Sequence, residues 1–273
     1  MNHKTEKAYS GWMEIGGESY AFDYLIEVIR ELCGDVEDPA ILDFGCEQGR
    51  HAVFLKRNGF RVFGTDINKI SHEQAQSYFK ANGFNPDDIK LIDAKTDGCR
   101  VESEYQIPFD DDTFDFIYSM SVFEHIENPD IVLKELHRIT KSGGVIYLYF
   151  PGKWNLFEAH LKMPLVHFLP PSRFREIYIS IYNFLGVGWY KGGKRQSEWL
   201  EKNVFYRSDR ETDRLLGKYF RIQRIPLREF NERFFHKKPG RIRNPFLSKI
   251  TNRILSPFTG RHMVLIKGAS NFR

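Results

Sequence analysis

The sequence predicts an α/β fold in which helices cover both faces of a parallel sheet. Short apolar runs bounded by glycine or proline recur along the first 150 residues, and segments with helical spacing of apolar residues separate them. A glycine-containing loop follows the first of these runs. Strands and helices that alternate at this pitch are typical of parallel sheets built from right-handed crossovers. In such sheets a ligand binds beyond the carboxyl ends of the strands.

Each element of this half follows from its local sequence. Apolar runs of strand length predict five strands, at residues 40–44, 61–66, 88–92, 114–119 and 145–150. Helical spacing predicts helices at residues 19–32, 49–58, 71–82 and 129–140. Ser71 is a suitable N-cap for the third helix, and Gly83 is a suitable end.

The composition indicates a globular protein. Hydrophobic residues make up 41% and charged residues 28% of the 273 residues. No run reaches the roughly 18 apolar residues of a membrane span, and the polar residues 1–14 predict no secretory signal. Cys33, Cys46 and Cys99 are too few and too scattered for a disulfide framework or a zinc ribbon. A reducing cytoplasm is therefore the simplest expectation for the compartment.

The two halves of the chain carry opposite charge. Residues 1–150 hold 15 Lys and Arg against 27 Asp and Glu, a net charge of −12. Residues 151–273 hold 25 against 9, a net charge of +16. One interpretation is that the halves neutralise each other across an internal interface. The other is that the basic half meets an anionic substrate, a nucleic acid or a membrane surface.

The loop after the first predicted strand has the features of a nucleoside site. Gly45 allows a tight turn that lies against a ligand, and Gly49 opens a helix whose N-terminal amides favour an anion. Asp66 closes the second strand, where a carboxylate can accept both hydroxyls of a ribose. The G-x-G-x-x-G pattern of dinucleotide-binding proteins is absent here.

Five sequence blocks resemble the class I S-adenosylmethionine-dependent methyltransferases, in the same order and spacing. They are ILDFGCEQG (41–49), VFGTD (62–66), IPFDDDTFD (107–115), FEHI (123–126) and KSGG (141–144). The resemblance implies a single Rossmann-like domain over residues 1–273, with a seven-stranded, mostly parallel sheet whose last strand is antiparallel. The core would then comprise residues 36–150, 208–226 and 261–268, with strands at 220–226 and 261–267 after a helix at 208–216. Insertions at 151–207 and 227–260 would form the acceptor-binding lid.

The resemblance also implies the cofactor contacts. Asp43 and the backbone of Gly45, Cys46 and Gly49 would hold the methionine moiety, Asp66 the ribose, and Ile67 one face of the adenine. The carbonyls of Ser119 and Met120 would face the cofactor's amino group. Asp93, which directly follows the third strand and precedes Ala94, would meet the adenine amino group. Glu102 and Glu104 are the alternatives, because the segment between Ile92 and Ile107 is longer than the family's usual spacing. Glu47 stands where the family usually has glycine, which is harmless if its side chain points outward.

The first insertion offers candidates for the acceptor side. Glu158 and His160 follow the fifth strand and can position or deprotonate a hydroxyl, because histidine is the usual base near neutral pH. His125 would face the same cleft. Each of these residues has an alternative structural interpretation as a loop cap, a half-buried histidine or a helix-entry residue. The set of Glu158, His160 and His167 matches no familiar metal-binding spacing, so no metal is expected.

The second insertion predicts a basic amphipathic helix. Residues 227–260 carry a net charge of +6, from eight Lys and Arg and two acidic residues. One face of the helix holds Phe246, Leu247, Ile250, Ile254 and Phe258, with Lys249 and Arg253 opposite. Such a face can lie peripherally on an anionic membrane or pack against the core.

These observations predict a methyltransferase with S-adenosylmethionine as cofactor, acting on a small-molecule, glycan- or lipid-type acceptor, with O-methylation favoured. One alternative is an RNA methyltransferase, which the basic half permits. Against it, the sequence has no appended RNA-binding module, and Ser119-Met120-Ser121 replaces the motif of amino-methylating nucleic-acid enzymes. Another alternative is a cofactor-binding protein without turnover.

Overall fold

A computed structural model describes residues 23–34, 36–97, 100–101, 104–158, 160–161, 163–185, 193–225 and 261–268. Its strands are β1 (Ala40–Phe44), β2 (Arg61–Asp66), β3 (Ile89–Leu91), β4 (Thr96–Asp97), β5 (Arg100–Val101), β6 (Phe114–Met120), β7 (Thr140–Phe150), β8 (Phe157–Glu158), β9 (Met163–Pro164), β10 (Arg221–Ile225) and β11 (Arg261–Ile266). Its α-helices are α1 (Asp23–Cys33), α2 (Arg50–Arg57), α3 (Lys69–Ala81), α4 (Pro129–Ile139), α5 (Arg173–Phe184), α6 (Gly193–Asn203) and α7 (Asp209–Leu216).

Within the described residues the main sheet has seven strands in the order β10-β11-β7-β6-β1-β2-β3. The pairs from β3 through β7 are parallel, whereas β11 runs antiparallel to both β7 and β10. The predicted Rossmann-like sheet with an antiparallel last strand is therefore confirmed. The order reverses between β1 and β6, so a crevice opens beyond the carboxyl ends of these two strands.

Two apolar cores lie on opposite faces of this sheet. On one face α1, α2 and α3 contribute residues such as Leu25, Val53 and Phe79. On the other face α4 and α7 contribute residues such as Leu133 and Leu216. Neighbouring residues of the strands point alternately into the two cores, as the pleat requires. Helices on both faces are thus confirmed.

Some predicted boundaries are wrong by a few residues. Helix α3 begins at Lys69, and its N-cap is Asn68 rather than Ser71, because the Asn68 side chain accepts the N–H groups of Ile70 and Ser71. Strand β7 begins at Thr140, five residues before the prediction, because the segment up to Gly144 also takes a strand conformation. Helix α7 and strands β10 and β11 lie within the predicted ranges.

The chain between β7 and α7 builds a small core of its own. Helices α5 and α6 pack together and, with the short hairpin of β8 and β9, bury an apolar cluster that contains Leu161, Met163, Val166, Ile179, Leu200 and Val204. This cluster lies in the predicted insertion 151–207. Its separate packing is compatible with an element added to the main sheet, and its role in acceptor binding stays a prediction.

Several predictions fall outside the described residues. They are the basic amphipathic helix of residues 227–260, Cys99, Glu102, and the start of the first helix before Asp23. Ion pairs do connect the two oppositely charged halves, with Lys218 2.8 Å from Asp130 and Lys267 2.7 Å from Asp112. Both members of the Lys218–Asp130 pair are exposed, so this pair stabilises the fold only slightly, whereas Lys267 is buried and also donates to the Thr140 carbonyl. None of the helices in the described ranges combines the length and apolar character needed to cross a bilayer.

Candidate functional site

The loop between β1 and α2 has a backbone that favours glycine. Gly45 and Gly49 have φ angles of 79° and 72°, in the left-handed region. A Cβ atom at position 45 would lie 2.4 Å from Cγ2 of Val122, which follows β6. Two loops at the carboxyl ends of neighbouring strands therefore approach each other so closely that a side chain at Gly45 would collide.

Asp66 ties this loop to the end of β2. Its carboxylate accepts a hydrogen bond from the N–H of Glu47 at 2.9 Å and from the N–H of Asn68 at 2.7 Å. The Glu47 side chain is exposed, although its backbone φ of 45° would suit glycine better. The extra side chain at position 47 is therefore not buried in the loop. Both Asp66 oxygens keep acceptor capacity, and the ribose contact stays a prediction.

Asp43 is a buried carboxylate beside this loop. The residue is 2% exposed, and its Oδ2 atom has no hydrogen-bond partner among the described residues. Burial raises the pKa of Asp43 from its ordinary value of 3.8 to about 8, while the nearby Tyr118 hydroxyl acts in the opposite direction. An unpartnered carboxylate in a buried position is costly. A positively charged ligand group would relieve that cost.

We expect Asp43→Asn to raise the melting temperature at pH 8.5. Because the folded pKa is raised, the folded state keeps a proton that the unfolded state loses above about pH 4. Stability therefore falls as the pH rises from about 4 to about 8, and a neutral amide avoids that loss. A gain of about 2 kcal/mol corresponds to a rise of about 4–8 °C in calorimetry. If the melting temperatures of Asp43→Asn and the unaltered chain differed by the same amount at pH 5 and at pH 8.5, ionisation of Asp43 would not be the cause of the stabilisation.

The predicted adenine side is open. Ile67 is 40% exposed at the end of β2, and Asp93 and Glu104 are exposed while Ala94 is half-buried. At the end of β6, Ser119 is buried, and Met120 accepts a hydrogen bond on its sulfur from the Tyr24 hydroxyl at 3.6 Å. The choice between Asp93 and Glu104, and the contacts of Ser119 and Met120 with a cofactor, stay predictions.

Glu158, His160 and His125 form one cluster beyond the carboxyl ends of β6 and β7. Nδ1 of His160 lies 2.6 Å from Oε1 of Glu158, and Nε2 of His160 lies 3.3 Å from Nε2 of His125. The buried Glu158 carboxylate also accepts the backbone N–H groups of His160 and Leu161 and the hydroxyl of Tyr206. The structure thus brings together the three residues that were predicted to face one cleft. Their catalytic role stays a prediction.

Glu124 adds a second carboxylate that the sequence analysis missed. It lies in a short 3₁₀ turn, Phe123–His125, which follows β6, and it is 1% exposed. Neither of its oxygens has a hydrogen-bond partner among the described residues, and Oε1 lies 4.0 Å from Nε2 of His160. Burial raises the pKa of Glu124 to about 7. The FEHI block contained this residue, but the sequence did not indicate which of its side chains points inward.

The segment after α6 fixes the turn that carries Glu124 and His125. The carbonyl of Asn203 accepts a hydrogen bond from Nδ1 of His125, and the N–H of Phe205 donates to the Glu124 carbonyl at 2.7 Å. The buried Arg207 guanidinium donates to three carbonyls of the same turn, those of Phe123, Ile126 and Glu127. Sequence reasoning missed this contact, because no local pattern marks residues 203–207.

His167 belongs to a different environment. Its ring packs against Phe168 and Tyr206, with ring centroids 4.3 Å and 4.8 Å away. In the described part of the chain, the group whose donor atoms approach one another is Glu124, His125 and His160, all within 4.8 Å. The candidate metal ligands that lie close together thus differ from the set considered in the sequence, Glu158, His160 and His167. Glu124 takes the place of Glu158, and His125 takes the place of His167.

Comparison with known proteins identifies the region that carries the glycine loop. Residues 42–148 match a protein family described as "Methyltransferase domain". This match includes Asp43, Gly45 and Asp66, as well as the turn with Glu124 and His125. It ends before Glu158 and His160, so the matched family does not cover the first insertion.

Individual relatives agree with this match. The chain is 26% identical to malonyl-[acyl-carrier protein] O-methyltransferase from Hamiltonella defensa over 53% of this chain and 46% of the relative. It is 28% identical to ubiquinone biosynthesis O-methyltransferase from Rickettsia bellii over 51% of this chain and 57% of the relative. The chain therefore spans about half the length of these curated relatives. Phosphoethanolamine N-methyltransferase 2 from Haemonchus contortus, solved with S-adenosyl-L-methionine, shares the fold with a TM-score of 0.53 at 16% identity, over 97% of this chain and 57% of that one.

Proposed function

Residues 42–148 form a class I S-adenosylmethionine-dependent methyltransferase domain, and we propose that the chain transfers the cofactor's methyl group to a hydroxyl of a small-molecule, glycan- or lipid-type acceptor. The observation that carries the proposal is the position of two groups of residues. A glycine loop with buried carboxylates lies beyond β1, and a histidine and carboxylate cluster lies beyond the adjacent β6 and β7.

The residues beyond β1 and β2 fit the cofactor. The unpartnered Oδ2 of Asp43 suits a positively charged amino group, and the left-handed turn at Gly45 brings the loop against Val122, where a Cβ would collide. Asp66 already orders the loop through the Glu47 N–H and has lone pairs left for ribose hydroxyls. When bound, S-adenosylmethionine supplies a methyl group on a sulfonium ion, so the chain's residues need mainly to align the acceptor and exclude water.

The cluster beyond β6 and β7 would position the acceptor. The Nε2 atoms of His160 and His125 lie 3.3 Å apart, and Glu158 holds the His160 ring through Nδ1. Val122 connects the two ends of the site, because it lies against Gly45 and is two residues from Glu124. Nitrogen lone pairs at this point suit a hydroxyl donor, and O-methylation is also the activity in the names of the two curated relatives above.

The first insertion favours an acceptor with an apolar part. Phe157 is exposed beside the buried Glu158, and α5 exposes an apolar face. On that face Phe174 and Phe184 are 82% and 89% exposed, and Ile177 and Ile181 lie between them. Contiguous exposed apolar residues of this kind mark interaction sites. Contact of residues 227–260 with an anionic membrane would serve the same kind of acceptor and stays part of this proposal.

The test is to locate the transferred methyl group. Protein and labelled S-adenosylmethionine are incubated separately with a lipid extract, with water-soluble metabolites including glycans, and with total RNA. We expect label in the lipid or metabolite fraction, carried by an oxygen ether or ester. Label in RNA alone would replace the proposal with an RNA methyltransferase. Cofactor binding without label in any fraction would indicate a binding protein without turnover.

We expect Asp66→Ala to weaken S-adenosylmethionine binding by about 30–150-fold in calorimetric titration. The substitution removes a charge-assisted contact to the ribose, worth about 2–3 kcal/mol, and also the acceptor that orders the Glu47 N–H. The matched control is Asp111→Ala, because Asp111 is exposed and precedes β6, at the end of the strand away from the loops of the site. Unchanged affinity in a folded Asp66→Ala protein would place the ribose elsewhere.

A further inference from the structure

The side chains of one buried carboxylate and two half-buried histidines face one another at the acceptor end. The Nε2 atoms of His125 and His160 are 3.3 Å apart, and Oε1 of Glu124 is 4.0 Å from Nε2 of His160. Glu124 is 1% exposed, and both its oxygens lack a hydrogen-bond partner within the described residues. A buried carboxylate in this state needs a cation or a proton.

The other ring nitrogens decide how the two histidines are protonated. Nδ1 of His125 faces the carbonyl of Asn203, which can only accept a hydrogen bond. Nδ1 of His160 faces Glu158, whose carboxylate already accepts the Tyr206 hydroxyl. Both Nδ1 atoms therefore carry a hydrogen, and in neutral imidazoles both Nε2 atoms present lone pairs. Histidine ligands of metal ions are oriented in this way, by a carbonyl or a carboxylate on the second nitrogen.

The spacing fits a four-coordinate metal. Two nitrogens bound to a tetrahedral zinc ion at about 2.0–2.1 Å lie about 3.3 Å apart, which is the observed Nε2 to Nε2 distance. Oε1 of Glu124 is 4.0 Å from Nε2 of His160, and the three donor atoms all lie within 4.8 Å of one another, so the carboxylate would need to move toward the histidines by roughly 1–1.5 Å to bind the same ion. Two histidines and one carboxylate leave a fourth position open.

We propose that Glu124, His125 and His160 bind one divalent transition-metal ion of the zinc class, with Glu158 and the Asn203 carbonyl orienting the histidines. The open position would take the oxygen of the acceptor, and this role rests on the proposed function, whereas binding of the ion does not. Nitrogen ligands favour zinc-class ions over Mg²⁺ and Ca²⁺, which prefer oxygen. The metal would link the turn after β6 to the first insertion, and so close the acceptor end.

Metal binding is measured without cofactor or acceptor, so it can fail or succeed independently of methyl transfer. The full chain is stripped with a chelator, then titrated with Zn²⁺ and, separately, with Co²⁺ while its visible spectrum is recorded. We expect one Zn²⁺ per chain, Co²⁺ absorption bands of a four- or five-coordinate site, and no displacement by excess Mg²⁺. Bound Zn²⁺ also raises the melting temperature, because it binds the folded state.

Matched variants locate the site. Glu124→Gln and His160→Ala should lower Zn²⁺ affinity at least 100-fold, and Glu158→Gln about 10–100-fold, as for residues that orient ligands. Glu127→Gln is the control, because Glu127 is exposed, lies in the same segment and pairs with Arg100. Equal affinity in all four variants would overturn the proposal. The absence of Co²⁺ bands in the unaltered chain would also overturn the proposal, because a proton would then lie between the histidines in place of the metal. A sulfur-to-cobalt charge-transfer band would overturn it as well, because it would place the ion at a cysteine.

Discussion

Replacing Gly45 with valine should abolish measurable S-adenosylmethionine binding, a loss of at least about 100-fold. A valine at φ 79° is strained by about 1–2 kcal/mol, and its Cβ would lie 2.4 Å from Cγ2 of Val122. Val122 is short and β-branched, so it cannot rotate its contacting methyl groups far away. The β1 loop must therefore shift, and the space for the cofactor's methionine end closes. Calorimetric titration measures the loss.

The control for Gly45→Val separates backbone strain from loss of the site. Gly59 has a similar φ of 86°, but a Cβ there would meet nothing within 4 Å. Gly59→Val should therefore introduce a comparable backbone strain, which lowers the melting temperature, and leave cofactor affinity unchanged. If Gly45→Val is folded and binds the cofactor normally, the cofactor does not lie against this loop.

The positions of the glycine loop and of Asp66 at neighbouring strand ends were predictable because their signals are local. A short apolar strand, Gly45, Gly49 and an acid at the end of the next strand are separated by few residues, and the parallel sheet places strand ends side by side. The predicted N-cap of α3 was wrong although its signal is also local, because two neighbouring residues are equally suited to the role. Asn68 and Ser71 both suit an N-cap, and only the chain path after Asp66 decides between them.

The acceptor side was only partly predictable, because its contacts join distant segments. Glu158 and His160 could be proposed from their position after the fifth strand, and His125 from its position after the fourth. Their assembly depends on residues 203–207, about 80 positions beyond the turn that Arg207 holds. Burial of the unpartnered Glu124 also follows from tertiary packing, since neither hydropathy nor spacing distinguishes it from the exposed Glu127.

Replacing His160 with alanine should lower methyl transfer by about 100-fold or more while cofactor affinity stays unchanged. The substitution removes the Nε2 atom that faces His125 and also the partner that Glu158 orients. Misplacement of a reacting group by about 1 Å is enough for a loss of this size. Turnover is measured as label transferred to the acceptor fraction, with His137→Ala as control, since His137 packs against Tyr219 and Phe220 on α4's side of the sheet.

A double-mutant cycle then tests whether Glu158 acts through His160. If Glu158 positions the His160 ring, Glu158→Gln should lower the rate of methyl transfer by about 10–100-fold when it is introduced alone. Introduced into His160→Ala, the same substitution should lower the rate very little further. Independent roles would instead give effects that multiply. Because Glu158 also accepts hydrogen bonds from Leu161 and Tyr206, the melting temperature of each variant is recorded, and a purely structural role would lower stability without non-additive turnover. Equal turnover of His160→Ala and the parent would remove both residues from the acceptor site.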